Sequence, residues 1–255
     1  FTLVSAGFDL NFFSSAALFL AFALGGILKG ATGAGTPVIA IPVLTIFFDV
    51  QLAVIIMVMP NLISNVIQII NYRKVEINRV TATRFAGSGV LGCIFGTFIL
   101  ANASPLLLEI IVAFSTILYI SMKLLKPNLL LPQHLSNTLS LPIGFAGGVI
   151  QGSAGISAPI ALSFLNAMRM TRESFIFTIS SFFGSMAAVQ IITLGFLNML
   201  TWPLIIISAA ALIPQLLFMP VGNVAAKNMS KKNFENVILV LLSVLCLKLI
   251  YSVFL

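Results

Sequence analysis

The chain has 255 residues, of which 60% are hydrophobic and 7% charged, and its formal net charge is +7. Soluble domains carry about 25% charged residues, so this composition excludes a soluble enzyme and describes a polytopic, multi-pass membrane protein. The basic excess does not indicate nucleic acid, because the charges stand singly at the ends of apolar segments. There they act as topology signals and headgroup contacts.

The first apolar block, about 10–48, contains the run GGILKGATGAGTP from Gly25 to Pro37. An interior glycine costs a helix about 1 kcal/mol relative to alanine, and proline about 3. The run therefore predicts two helical pieces, about 10–29 and 37–48, joined by Gly30–Thr36. Pro37 suits the first turn of the second piece, where its missing N–H is harmless. In a bilayer, broken backbone is tolerated only where it is buried in protein or lines a wet cavity. A helix starting at Pro37 would aim free N–H groups and a positive dipole end at that space, which favours an anion. Gly30, Gly33 and Gly35 would form the backbone of such a site, with hydroxyls from Thr32 and Thr36. Lys29 would strengthen it if it faces the same space. The alternative is that Lys29 snorkels to the cytoplasmic surface as a topology marker.

A full span follows at about 52–72, with Asn61, Asn65 and Gln68 on one helical face. Amides in an apolar span are costly unless paired or hydrated, so they line a cavity or bond between helices. Tyr72–Arg84 is polar and basic, and spans are expected at about 85–103 and 105–125. Within the former, Ser88, Gly92 and Gly96 form a small-residue ladder suited to helix packing. His134, the only histidine, sits beside Pro132 in the polar stretch that follows and is expected to be solvated.

A second block, about 138–168, contains GGVIQGSAGISAP from Gly147 to Pro159. By the same reasoning it yields pieces at about 138–151 and 159–168, joined by Gly152–Ala158. Its candidate site residues are Gln151, Gly152, Ser153, Gly155, Ser157 and Pro159. Spans are expected at about 173–197, 201–221 and 234–254. The first of these carries Ser181, Ser185 and Gln190, and the second carries Pro214 and Pro220 around Gln215, where a kink is expected. Cys93 and Cys246 fall within spans and read as small buried residues. No disulfide, metal site or cofactor is implied.

The two glycine runs register at a displacement of 122. Gly25, Gly26, Gly30, Gly33 and Pro37 fall on Gly147, Gly148, Gly152, Gly155 and Pro159, and Gln68 falls on Gln190. After a four-residue slip, Gly96, Asn102, Ser104 and Glu109 fall on Gly222, Asn228, Ser230 and Glu235. The chain thus reads as a duplicated unit, with a first repeat over 1–126, a connecting loop over 127–137 and a second repeat over 138–255. Each repeat would hold an interrupted pair, broken or re-entrant, plus three full spans.

Placing the Tyr72–Arg84 loop in the cytoplasm puts Lys123, Lys126, Arg169, Arg172, Lys227, Lys231 and Lys232 inside as well. Corresponding loops of the two halves then carry opposite charge bias, as inverted-topology repeats do. The fold expected is all-α, with two inverted repeats. Paired interrupted helices point to a transport site between the halves. The plainer alternative is that the glycines only let helices pack closely.

All six acidic residues lie near span ends or in loops. No intramembrane carboxylate is therefore on offer for proton coupling, and an electrogenic exporter is the simplest mechanism. An interior negative by about 100 mV favours each exported negative charge by about 2.3 kcal/mol. An intramembrane enzyme would need a nucleophile–base pair or metal ligands at depth, which the sequence lacks. An anion channel and an ion-coupled importer, including a sodium-coupled one, stay open. So does a homodimer.

At the two glycine motifs the chain resembles the sulfite exporter TauE/SafE family of membrane permeases, over essentially its whole length. The shared features are a Gly-rich motif early in each half, a proline after each, and a length near 250 residues made almost wholly of spans. The matching residues here are Gly30, Gly33, Gly35 and Pro37, and Gly152, Gly155 and Pro159. Where the family typically has a run of glycines, this chain has Gly33-Ala34-Gly35 and Gly155-Ile156-Ser157. The resemblance implies export of small sulfur-containing anions, such as sulfite, sulfoacetate or other organosulfonates, usually across a bacterial inner membrane.

Overall fold

The computed structural model describes residues 12–125 and 130–228. The span expected at 234–254, with Cys246, lies outside them. The described residues form nine helices and no strand. They are α1 (Phe12–Thr32), α2 (Thr36–Phe47), α3 (Val50–Tyr72), α4 (Arg79–Asn102), α5 (Pro105–Leu125), α6 (Gln133–Ala154), α7 (Ala158–Ala167), α8 (Arg172–Phe196) and α9 (Trp202–Asn228). Six of these are long and apolar enough to cross a membrane: α1, α3, α4, α5, α8 and α9. The protein is a multi-pass membrane protein, and its described residues contain helices as their only regular secondary structure.

Polar caps and prolines set the helix starts. The Asp49 side chain accepts the Leu52 N–H (2.7 Å) at the head of α3. Asn78 accepts the Thr81 N–H (3.3 Å) at α4, and Thr171 the Ser174 N–H (3.2 Å) at α8. Such caps satisfy N–H groups that have no partner within the helix. The Asn78 cap starts α4 at Arg79, six residues before the span expected from hydropathy. Pro132 likewise begins α6 at Gln133, inside the stretch expected to be a connecting loop.

α3 and α8 form the buried centre, while α5 and α9 expose apolar side chains outward. On α4, Leu91, Phe95 and Phe98 make one exposed apolar face, and Ile206, Ile213, Leu217 and Val224 do so on α9. In an aqueous protein such patches would be a liability. Here they suit contact with lipid tails.

α3 and α8 run antiparallel. The Ser174 hydroxyl, at the start of α8, donates to the Glu76 carbonyl just past the end of α3 (2.8 Å). Farther along, the Ser180 hydroxyl donates to Oε1 of Gln68 (2.8 Å), and Gly184 packs on Asn65. Pro60 interrupts α3 midway and deprives the Ile56 carbonyl of its usual helical donor. Ser208 of α9 fills that gap, donating to the Ile56 carbonyl (2.8 Å) and accepting the Met59 N–H (3.1 Å).

Two further pairs of long helices, α1 with α9 and α4 with α6, cross through glycine. A Cβ on Gly26 or Gly30 of α1 would collide with the Gln215 or Met219 carbonyl of α9. On α6, a Cβ on Gly148 or Gly152 would collide with the Gly89 or Cys93 carbonyl of α4. These contacts correspond one for one. Gly26 and Gly30 displaced by 122 become Gly148 and Gly152, while Gly89 and Cys93 displaced by 126 become Gln215 and Met219. The reciprocal contacts obey the same displacements, with Gly96 against Val149 and Gly222 against Ile27. Ser88 and Gly92 extend the α4–α6 seam to Ser140 and Phe145.

Candidate functional site

Two short connections separate α1 from α2 and α6 from α7, each close to a glycine with positive φ. Gly33 and Gly35 have φ of 83° and 126°, and Gly155 has φ of 73°. Side chains other than glycine, asparagine and aspartate rarely adopt this region. The α1–α2 connection is therefore residues 33–35, not the expected Gly30–Thr36, and the α6–α7 connection is 155–157, not Gly152–Ala158. Gly30 and Gly152 are still helical; their role in the structure is the close crossing with α9 and α4.

The two connections are closed by the same bond. The Gly33 N–H donates to the Lys29 carbonyl (2.7 Å), and the Gly155 N–H to the Gln151 carbonyl (2.9 Å). Each connection also packs on the opposite half, Gly33 against Ile176 of α8 and Gly155 against Ile41 and Val54. Pro37 and Pro159 sit in the first turns of α2 and α7.

Around the first connection the polar groups converge. Lys29 is 2% exposed, so it does not snorkel, and its Nζ donates to Oδ1 of Asn65 (2.7 Å). Nδ2 of Asn65 donates in turn to the carbonyl and Oδ1 of Asn61 (2.6 and 2.8 Å). The Thr36 hydroxyl donates to the Gly25 carbonyl (3.1 Å), tying the start of α2 to α1. The Thr32 hydroxyl donates to the Leu28 carbonyl (2.8 Å) and accepts the Ala34 N–H (3.3 Å). Gln68 points across to Ser180 on α8 rather than to Lys29.

The second connection is neutral. Oε1 of Gln151 accepts the Ser157 hydroxyl (3.0 Å), and Nε2 of Gln190 donates to the Gly152 carbonyl (3.2 Å). The Ser153 hydroxyl donates back to Val149 (2.8 Å) within its own helix. Ser181 and Ser185 also bond back, to Phe177 and Phe182. Ser180, which sequence analysis passes over, makes the bond across the α3–α8 seam. Its signal is the antiparallel register, which sets it opposite Gln68.

A cavity opens at each end of that seam. One, of about 480 Å³, is lined by Glu76, Ile77 and Asn78 after α3 and by Met170, Thr171 and Ser174 at the start of α8. The other, of about 210 Å³, is lined by Asp49, Gln51, Leu52 and Ile55 of α3 with Met199 and Leu204 beyond α8. Thr171 and Ser174 displaced by 122 are Asp49 and Leu52, and Ile77 corresponds to Met199. The two cavities are thus lined in part by residues that the displacement of 122 places in register. Between them Lys29, Asn61, Asn65, Gln68, Gln151 and Gln190 are all buried. Gln215 is fully buried as well, and neither atom of its amide has a hydrogen-bond partner.

The four described acidic residues lie away from this centre, and Asp9 and Glu235 lie outside the described residues. Asp49 caps α3, Glu76 lies between α3 and α4, Glu109 is in the second turn of α5, and Glu173 is in the first turn of α8. Among the described residues there is no cluster of histidine, cysteine or carboxylate suited to a metal.

Neither the curated proteins nor the solved structures compared with this chain gave a match. The family model described as Sulfite exporter TauE/SafE matches residues 18–249, which include both helix connections and all nine described helices from the second turn of α1 onward. On that coverage the chain belongs to the sulfite exporter TauE/SafE family of membrane transporters.

Proposed function

We propose that this protein is a secondary permease that exports small sulfur-containing anions, such as sulfite or organosulfonates, across a bacterial inner membrane. The observation that carries the reading is Lys29, a buried lysine whose amine is bonded to a neutral amide rather than to a carboxylate. Taking a charge out of water costs several kcal/mol even after relaxation. A site that leaves the charge without an acidic partner is primed for an anionic one. Lys29 stands one turn before a break in the helix, on the seam between the halves, where transporters hold their substrates. Asn61, Asn65 and Gln68 on one side, and Gln151, Ser157 and Gln190 on the other, supply neutral hydrogen-bonding groups.

We read residues 1–126 and 138–255 as inverted-topology repeats around this centre. The antiparallel pairing of the equivalent helices α3 and α8, the matched glycine crossings and the two cavities lined in part by residues in register support that reading. The basic residues Arg73, Lys74, Arg79, Arg84, Arg169 and Arg172 lie at the end with the larger cavity, which supports a cytoplasmic orientation for that end. Alternating access would rock the halves about the α3–α8 seam, enlarging one cavity as the other closes. The burial of the central polar groups favours a carrier over a continuous pore.

The test is flux of labelled sulfite from proteoliposomes with the membrane potential clamped at zero and at about −100 mV. Saturable efflux that the potential accelerates and Lys29→Ala abolishes is expected. Non-saturating flux at channel rates, or flux indifferent to Lys29→Ala, would overturn the reading.

A further inference from the structure

The charge inventory of the buried centre restricts what it can hold. Lys29 is the one charged residue among the buried described residues; every other buried polar side chain is a neutral amide or hydroxyl. The helix ends do not alter the count. At each connection a helix C-terminus meets a helix N-terminus, α1 with α2 and α6 with α7. Their partial charges of about −0.5 and +0.5 cancel to first order. Among its described residues the second half buries no counterpart cation; Gln151 stands where Lys29 would fall and is held by Ser157. Among the described residues the centre therefore holds one ionisable side chain, the amine of Lys29, and when protonated it carries one positive charge.

We propose that the site takes monoanions: a single sulfonate or bisulfite group carrying one negative charge, in preference to dianions such as sulfate or sulfoacetate. The inference rests on the anion-permease reading above and deepens it. A monoanion exchanged for Asn65 at Nζ of Lys29 leaves the loaded centre neutral. A dianion leaves one uncompensated negative charge in a low-dielectric interior, where isolated charge is least tolerated. Asn65 is suited to yielding its place, since its Nδ2 stays bound to Asn61 while its Oδ1 releases the lysine.

The loaded carrier then crosses without net charge at the site, and the empty one crosses with a charge of one. An interior-negative potential would draw the empty, cationic centre back toward the cytoplasm, so it drives the return step rather than the loaded one. Net efflux should respond to potential, and one-for-one exchange should not.

The experiment uses the purified full chain with two probes of similar length, ethanesulfonate (one charge) and sulfoacetate (two charges). In proteoliposomes, ethanesulfonate should inhibit labelled sulfite flux with a half-maximal concentration at least tenfold below that of sulfoacetate. Lys29→Gln should abolish the sulfite flux itself in protein that still melts as folded, and Lys29→Arg should retain both the flux and the preference. Ethanesulfonate exchange should be equal at zero and at about −100 mV, while net efflux should rise with potential. Sulfoacetate equal to or better than ethanesulfonate, or exchange that follows the potential as strongly as efflux, would overturn the monoanion inference and leave the anion site standing. If neither probe inhibits and no sulfite moves, in protein whose thermal melting shows it folded, the anion-permease reading falls and this inference falls with it.

Discussion

Nζ of Lys29 lies 2.7 Å from Oδ1 of Asn65, joining the last turn of α1 to the middle of α3 across 36 residues of sequence. The bond holds a lysine amine in the protein interior with a neutral partner, and the first prediction concerns what replaces that partner.

Asn65→Asp places a carboxylate against Lys29 and neutralises the centre from within. Sulfite efflux should fall at least tenfold while the thermal midpoint is kept or raised. Asn65→Leu should also abolish efflux, but at a cost in stability of about 3 kcal/mol, because it strips a buried charge of its partner. Flux assays paired with thermal melting in detergent separate the two. Wild-type flux in Asn65→Asp would show that the positive charge is not used.

The glycine crossings predict paired costs. Gly30→Ala and Gly152→Ala each drive a methyl group into a backbone carbonyl of the partner helix, and overpacking of this kind costs about 1–3 kcal/mol. The two losses should be similar, since the contacts are equivalent. Gly155→Ala meets side chains rather than backbone, and its positive φ adds a strain of about 1–2 kcal/mol. Denaturation midpoints of the three variants check the ranking.

Ser208 tests the repair of the α3 interruption. Ser208→Ala leaves the Ile56 carbonyl and the Met59 N–H without their bonds, which should cost about 1–3 kcal/mol. Pro60→Ala restores a helical donor for Ile56, so Ser208→Ala should cost less in that background. A double-mutant cycle on thermal stability measures the coupling. Strict additivity would disconnect Ser208 from the proline.

Single cysteines can read the two cavities. In a background without Cys93 and Cys246, Ile77→Cys should react with a membrane-impermeant maleimide only from the cytoplasmic side. Met199→Cys, its counterpart in the other cavity, should react only from outside. Labelling of both from the same side would rule out the inverted arrangement.

The sequence alone determined the membrane class, the helical composition and the family, because each rests on properties summed over many residues. Sixty per cent hydrophobic composition and two glycine runs in register survive errors at individual positions. It also singled out Lys29, Asn65 and Gly33 as unusual residues for an apolar span, but not which of them meet. Which glycines turn the chain and which only admit a neighbour required the fold. Gly30 and Gly33 are alike in sequence, and only the crossing with α9 and the positive φ distinguish them. Likewise Gln68 shares a helical face with Asn65, yet the antiparallel register of α3 and α8 hands it to Ser180 while Lys29 takes Asn65. Periodicity assigns residues to one face of one helix; the partner opposite is set by packing between segments distant in sequence, and that is a tertiary decision.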